Sequence, residues 1–281
     1  MDAGRVRAEG RAFPVIIRHR KKRQYAGPAL PIDYSKWVKG RVVARRDWTD
    51  DLFSLQVDAP EVKFTPGQFG RLALPIDDQM VGRPYSFVNS PAEQTPHEFY
   101  VVRVDVGPLS PRLARLEAGD TVYLAPRANG FFCLGEVPPG ETLWGLSTGT
   151  ALGPFMSFLR TPEPWSRFKH IVFVHACRLE RELSYQDVIR GIKAAHPDQF
   201  QYIPFVSRED TAYAIRGRIP DAIRDGRLEA RAGLKLDAAT AQCMLCGNPD
   251  MVTDTTIVLE ERGLKKNKRK EPGQITVETY W

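Results

Sequence analysis

Hydrophobic and polar positions alternate with period two in the first half of the chain, in short segments separated by turn residues. This alternation predicts half-buried strands. The six predicted strands cover residues 37–44, 52–57, 69–74, 85–89, 98–104 and 121–124. One helix interrupts them, with Ser110 as its cap and Pro111 in its first turn. Several short strands without intervening helices predict an antiparallel β-barrel.

Beyond Pro138-Pro139-Gly140 the pattern changes to apolar strands that alternate with helices. The predicted strands cover 142–146, 170–175, 201–206 and 242–245, and the predicted helices cover 151–159, 185–195, 219–225 and 250–262. Such alternation predicts a parallel sheet with helices on both faces and ligand sites at the carboxyl ends of its strands. We therefore expect a barrel domain at 35–137 and an α/β domain at 138–281.

The net charge of +6 comes from the N-terminal part of the chain. Residues 1–39 hold ten Lys/Arg and three Asp/Glu, which leaves 30 basic and 31 acidic residues in the remainder. Residues 1–34 are predicted to be a disordered basic extension. The basic run 18–23 has no interleaved aromatic residues, so a solvated tail is favoured over nucleic-acid binding.

The chain has no apolar run near the roughly 20 residues of a membrane span and no secretory signal. We expect a cytoplasmic protein without a membrane or nucleic-acid partner. Its four cysteines do not make a disulfide scaffold at a length of 281 residues. Cys243 and Cys246 have a C-x-x-C spacing, but positions three apart on a strand point to opposite faces, so no metal site is predicted.

Two segments carry residues suited to nucleotide binding. In Arg83-Pro84-Tyr85-Ser86, the arginine fork suits a pyrophosphate and the tyrosine ring suits a flat heterocycle, a combination that suggests a flavin dinucleotide. The alternative is a solvent-facing strand without a chemical role. The small residues 147–154 join a predicted strand to a helix, where backbone N–H groups can approach a phosphate.

Three arginines fall at or near the ends of predicted parallel strands: Arg178, Arg208 and Arg218. An NAD site usually presents a carboxylate to the ribose 2′-hydroxyl at this place, whereas the 2′-phosphate of NADP requires arginine. The arginines favour NADP. Glu180 and Glu182 keep NAD open as the alternative.

The order and spacing of these segments resemble bacterial ferredoxin/flavodoxin–NADP reductases over about residues 35–281. The similarity includes the segment that begins at Arg83, LSPRLARLEAGD, ETLWGLSTGTALGP, MLCGNPDMV and the terminal VETYW. It implies FAD and NADP as cofactors, hydride exchange with NADP(H), and single-electron exchange with ferredoxin or flavodoxin. A reductase component of an oxygenase and a flavin-binding regulator with the same fold are the alternatives.

The resemblance also assigns roles to individual residues. It implies FAD contacts by Arg83, Pro84, Tyr85, Ser86, Tyr100, Pro108, Leu109, Ser110, Thr150, Tyr280 and Trp281. It implies NADP contacts by Cys177, Arg178, Ser207, Arg208, Arg218, Asn248, Pro249, Asp250 and Asp254. Tyr85, Ser86, Cys246 and Glu278 are the catalytic candidates, with Glu278 as a proton relay and Trp281 as a movable cover on the flavin.

Simpler interpretations stay open for three of these residues: Tyr100 as an ordinary strand aromatic, Cys246 as a structural cysteine and Glu278 as a solvated carboxylate. Pro108 stands where the family often has a basic residue, so one phosphate contact is expected to be missing. The basic run 265–270 is a candidate docking site for an acidic electron carrier, with a solvated face as the alternative. A monomer is expected.

Overall fold

The computed structural model describes residues 32–93 and 96–280, and its first part is a six-stranded antiparallel sheet. The strands are β1 (Val38–Asp47), β2 (Leu52–Asp58), β3 (Phe69–Ile76), β4 (Gln79–Ser86), β5 (His97–Val102) and β6 (Thr121–Leu124), with helix α1 (Ser110–Leu113) between the last two. Their order across the sheet is β4-β3-β6-β1-β2-β5. An antiparallel pair between Phe87 and Phe99 joins the two edges. The predicted antiparallel barrel is confirmed.

The second part is a six-stranded parallel sheet between helices. Its strands are β7 (Thr142–Thr148), β8 (His170–Cys177), β9 (Phe200–Val206), β10 (Ile215–Arg216), β11 (Ala241–Gly247) and β12 (Ile275–Thr279). Its helices are α2 (Leu152–Leu159), α3 (Glu163–Arg167), α4 (Gln186–Ala195), α5 (Ile219–Arg224), α6 (Arg227–Ala232) and α7 (Pro249–Glu261). The strand order β10-β9-β8-β7-β11-β12 confirms the predicted α/β domain, and β7 lies at the point where the order reverses.

The strand that carries the Arg83 segment differs from its prediction. Expected at 85–89, it runs from Gln79 to Ser86 and is a hairpin partner of β3. Gly82 and Pro84 argue against a strand in the sequence, but β4 ends the strand order of the sheet, and proline is tolerated at an edge. The hairpin turns through Asp77 and Asp78, both with positive φ.

The segment 132–137 and residues 33–34 refine the expected domain limits. Phe132 and Val137, expected in the barrel domain, pack in a hydrophobic core with Phe155 and Phe173 of the α/β domain. Residues 33–34, expected in the extension, belong to the folded body: the Asp33 carboxylate caps a short 3₁₀-helix at Tyr34–Lys36. The rest of the predicted extension lies outside the described residues.

Four short elements lie outside the predicted strands and helices, namely α3, α6, β10 and β12, because none is long enough to show a full hydrophobic period. The cysteines of the C-x-x-C segment point to opposite faces of β11, as predicted: Cys243 belongs to the core on one face and Cys246 to the core on the other. Among the described residues, no helix is both long and apolar enough to span a membrane.

Candidate functional site

A cleft of about 880 Å³ opens where the carboxyl ends of the parallel strands face the barrel. Residues 48–52 and 102–104 line it from the barrel, and loops that follow β7, β8, β9 and β11 line it from the α/β domain. It brings together ten of the predicted site residues: Thr150, Cys177, Arg178, Ser207, Arg208, Arg218, Asn248, Asp250, Asp254 and Tyr280. This edge is where parallel α/β sheets bind their ligands.

Two glycine turns form the floor of the cleft. Gly149 has φ of 55° and begins a short 3₁₀-helix that leads into α2. Gly247 has φ of 147°, and a Cβ atom there would lie 2.0 Å from the Thr148 hydroxyl. The backbone N–H of Asn248 donates to that hydroxyl at 3.1 Å, and the Asn248 side chain caps α7. The two turns are therefore held together without a ligand.

The three predicted arginines lie at adjacent strand ends. The Arg208 N–H donates to the Arg178 carbonyl at 2.9 Å, which holds the two residues side by side, and Arg218 precedes α5. All three side chains are exposed, and none of their guanidinium groups makes a hydrogen bond or ion pair with a described residue. Unpaired cations that line one cleft indicate an anionic ligand.

The carboxylates that kept NAD open are already engaged. Oε2 of Glu182 accepts the backbone N–H groups of Arg178 at 2.9 Å and Leu179 at 3.2 Å, so it closes the loop after β8. Glu180 lies beside the hydroxyl of Tyr213, and burial together with this carboxylate raises the pKa of Tyr213. One oxygen of Glu182 therefore serves the loop itself, and Glu180 lies against Tyr213.

The Arg83 segment lies on the barrel side and does not line the cleft, apart from its link to Tyr280. Arg83 and Pro84 are exposed, and the Arg83 guanidinium donates to the Gly82 carbonyl at 2.9 Å. Burial raises the pKa of Tyr85 to about 12, so its phenol stays protonated at neutral pH. The buried Ser86 hydroxyl is hydrogen-bonded to the hydroxyl of Tyr280 at 2.6 Å.

The residues predicted to contact the pyrophosphate near α1 are Pro108, Leu109 and Ser110, and the loop before that helix fixes their positions. The Ser110 hydroxyl accepts the N–H of Val104 at 3.0 Å, and Leu109 is buried. The Pro108 carbonyl accepts a hydrogen bond from Arg112 at 2.7 Å. Arg112 thus brings a cation to the position where proline replaces the family's basic residue. Val104 also lines the cleft, so this loop connects the two regions.

The predicted site residue Tyr100 lies buried where the barrel meets the α/β domain. Its side chain is only 4% exposed, and its ring packs edge-on against Trp48 and Tyr185. Its hydroxyl is hydrogen-bonded to Ser184 of the α/β domain at 2.8 Å. Strand periodicity does not reveal these contacts, because they depend on how β5 packs against the α/β domain.

The C-terminal segment follows β12 and connects the end of β11 with the barrel. The Tyr280 N–H donates to the Gly247 carbonyl at 3.0 Å, while its hydroxyl reaches Ser86. Tyr280 therefore lies between the glycine turn and the Arg83 segment, where the two halves of the site meet. Trp281, the predicted cover of the flavin, lies outside the described residues.

Glu278 combines burial with an unpaired oxygen. Its Oε2 is buried and has no hydrogen-bond partner among the described residues. Burial raises the pKa of its carboxyl to about 7. Gly130 of the barrel, with φ of 111°, lies next to this carboxyl, since a Cβ atom there would be 3.5 Å from Oε1. The nearby Cys246 is fully buried, and burial raises its thiol pKa well above the usual value.

Two features of the site were missed in the sequence. Trp48, Asp51 and Arg103 line the cleft from the barrel, with Arg103 bound to Asp51 at 2.8 Å. His175 lies buried beneath the first glycine turn, its Nε2 3.1 Å from the Gly149 carbonyl, and burial lowers its pKa to about 4. The barrel loops resemble ordinary polar turns, and a histidine within an apolar strand gives no sign of its partner.

The geometry defines a class: a barrel domain that faces a dinucleotide-type α/β domain across a cleft. Residues 41–128 match the model of the oxidoreductase FAD-binding domain, and residues 146–256 match that of the oxidoreductase NAD-binding domain. The chain is a two-domain oxidoreductase with sites for FAD and a nicotinamide nucleotide.

Individual relatives narrow the class. The flavodoxin/ferredoxin–NADP reductase of Escherichia coli (strain K12) is 47% identical over 246 residues, which cover 87% of this chain and 99% of the relative. The ferredoxin–NADP reductase of Azotobacter vinelandii is 34% identical over 248 residues, which cover 85% of this chain and 95% of the relative. A ferredoxin NADP⁺ reductase structure from Neisseria gonorrhoeae with bound FAD and NADP superimposes with a TM-score of 0.83 at 29% identity, covering 88% of this chain and 99% of that one. The chain belongs to the flavodoxin/ferredoxin–NADP reductase family.

The raised pKa of Glu278 predicts a specific pH dependence of stability. Because the folded state holds this proton up to about pH 7 and the unfolded chain releases it near 4.5, the carboxyl's contribution to the free energy of unfolding falls as pH rises through that window. We expect the free energy of unfolding to fall by about 2–3 kcal/mol across this window, and we expect this pH dependence to be absent in Glu278→Gln. Urea unfolding of both proteins at several pH values measures it, with Glu61→Gln as the exposed control. Parallel curves for wild type and Glu278→Gln would contradict the assignment.

Proposed function

We propose that this chain exchanges hydride with NADP(H) at a bound FAD and passes single electrons to a ferredoxin or a flavodoxin. The observation that carries the proposal is the group of unpaired arginines in the cleft, which the two glycine turns also line. The named activities of the family's relatives support the same conclusion.

The barrel residues fit a flavin dinucleotide. Arg83 is exposed and makes no ion pair with a described residue, so it is available to a pyrophosphate. The half-buried Tyr85 offers a neutral aromatic ring. At the start of α1, the backbone N–H groups of Leu109 and Ser110 are further candidates for binding the pyrophosphate. When bound, the flavin supplies the exchange between a two-electron donor and one-electron acceptors.

The remaining site residues orient and protect the reacting groups. The turn at Gly149 and Thr150 presents backbone to the nucleotide, and His175 beneath it holds the Gly149 carbonyl. Tyr280 and Ser86 form a polar contact at the junction, which would help to orient a flavin bound beside the Arg83 segment. Cys246 keeps its proton and acts through its shape, because a thiol with so high a pKa is not a nucleophile.

Glu278 is placed to hold a proton. Its pKa near 7 lets it accept or release one at neutral pH, and its unpaired Oε2 leaves a hydrogen-bonding position open. We propose it as the relay between solvent and the reaction centre. The two neighbouring cysteines, Cys133 and Cys246, are both neutral, since burial raises both thiol pKa values.

The proposed nucleotide is NADP rather than NAD. Three guanidinium groups are available where the adenosine ribose is expected, while Glu182 uses a carboxylate oxygen to hold its own loop. A phosphate gains charge-assisted hydrogen bonds from these guanidinium groups, which a ribose 2′-hydroxyl does not. The loop is therefore built to present arginine to a phosphate.

The proposed partner is an acidic electron carrier that meets a monomer in the cytoplasm. In the basic run 265–270, Lys268 pairs with Glu271 at 3.3 Å and Lys266 lies 4.0 Å from Glu260. These exposed pairs are weak, because water and salt screen them, so the run stays positively charged overall. The side chain of Asn267 donates to the Glu136 carbonyl at 2.7 Å, which ties the run to the body of the protein.

Purification followed by a visible absorption spectrum and an anaerobic titration with NADPH or NADH tests the function. We expect flavin absorbance that NADPH bleaches at lower concentration than NADH, followed by reduction of added ferredoxin or flavodoxin. A protein that binds no flavin would reject the proposal. Bleaching without carrier reduction would reject only the partner and favour another acceptor.

A further inference from the structure

A fourth arginine lines the same cleft, and the sequence pattern did not single it out. Arg181 lies on the short 3₁₀-helix Glu180–Glu182, which reverses the chain after β8. It is exposed and makes no hydrogen bond or ion pair with any residue in the described ranges. Arg178, three positions earlier, lines the cleft as well.

The loop holds Arg181 in place through its backbone. The Glu182 carboxylate binds the N–H groups of Arg178 and Leu179, and the N–H of Glu182 donates to the Leu179 carbonyl at 3.1 Å. The N–H of Glu180 donates to the carboxylate of Glu209. None of these bonds involves the Arg181 side chain, so its position is determined by the turn and its charge stays available.

Carboxylates near this loop are engaged elsewhere. Glu182 and Glu209 accept backbone N–H groups, and Asp210 is bound to Arg216 at 2.6 Å. Asp50, Asp250 and Asp254 also line the cleft, and none of them forms an ion pair with Arg178 or Arg181. A phosphate monoester with a charge near −2 matches such a pair of arginines better than a singly charged diester does.

We propose that Arg181 is a further specificity-determining residue, which binds the 2′-phosphate of NADP together with Arg178. This inference rests on the proposed function. The positive charge of Arg181 would favour a nucleotide that carries the 2′-phosphate over one that lacks it. Because Arg181 is exposed, its effect is that of a surface charge, which salt screens.

Binding of adenosine 2′-monophosphate and adenosine 5′-monophosphate to the FAD-loaded protein tests the inference by calorimetry. We expect Arg181→Ala to raise the Kd for the 2′-monophosphate about 3- to 5-fold at low salt, without a comparable change for the 5′-monophosphate. Arg181→Glu should raise it further, Arg181→Lys should restore most of the affinity, and the effect should shrink in high salt.

Arg190→Ala is the matched control, since Arg190 is an exposed arginine on α4 that does not line the cleft. Thermal unfolding of each variant monitors the fold. An unchanged Kd in Arg181→Ala, in a protein that still prefers the 2′-monophosphate, overturns the role of Arg181 alone. A wild-type protein that binds both nucleotides equally overturns the proposed NADP site and this inference with it.

Discussion

Replacement of Arg178 by alanine is expected to raise the KM for NADPH about 10- to 100-fold and to leave the KM for NADH nearly unchanged. A charge-assisted hydrogen bond to phosphate contributes about 1.5–3 kcal/mol, and about 1.4 kcal/mol corresponds to a factor of ten in affinity. Arg178 has no competing partner among the described residues, so its guanidinium is available to the phosphate. Arg218→Ala should act in the same direction.

Steady-state kinetics with both nucleotides measures the effect, with Arg190→Ala as the control for a lost exposed charge. The ratio of the two KM values is the decisive quantity, because only NADPH carries the 2′-phosphate. The backbone N–H of Arg178 remains in the variant and can still bind Glu182, so the loop should persist. An equal rise of both KM values would show a damaged fold rather than a lost phosphate contact.

Replacement of Arg83 by alanine is expected to weaken FAD binding by about 1.5–3 kcal/mol, or roughly 10- to 150-fold in Kd. Arg83 projects from β4 into solvent, where its one described hydrogen bond goes to the carbonyl of the preceding residue at 2.9 Å. No described carboxylate pairs with it, so a pyrophosphate would be its main partner. FAD release on dilution, followed by flavin fluorescence, measures the change.

Arg41→Ala is the matched control for Arg83, because Arg41 is an exposed arginine on β1 of the same barrel. Its loss should leave FAD retention as in the wild type. If Arg83→Ala also retains FAD like the wild type, Arg83 is an ordinary surface residue and the flavin site lies elsewhere on the barrel.

Much of the architecture could be predicted because it depends on local periodicity. Alternation with period two and strand–helix alternation follow from the backbone geometry of each element, so the order of the two domains was readable without contacts. The sequence also predicted that Arg178, Arg208 and Arg218 lie together at one edge of the parallel sheet. The carboxyl ends of parallel strands share one edge, so residues that follow different strands meet there.

The course of β4 and the surroundings of Tyr100 could not be read in this way. Gly82 and Pro84 are unfavourable inside a strand in general, but the edge position of β4 tolerates them, and an edge exists only once the sheet has formed. Tyr100 alternates like any strand aromatic. Its contact with Ser184 depends on how two domains pack.

The sequence by itself therefore determined the two domains, their order, and the chemistry offered by the arginines and the glycine turns. The tertiary structure alone decided which polar groups are engaged and which are left open. Glu278 acquires a pKa of about 7 because it is buried in the folded protein. Tyr280 reaches Ser86 across 194 positions of the chain. Burial and pairing of this kind depend on the packing of distant segments, and local residue patterns carry no information about that packing.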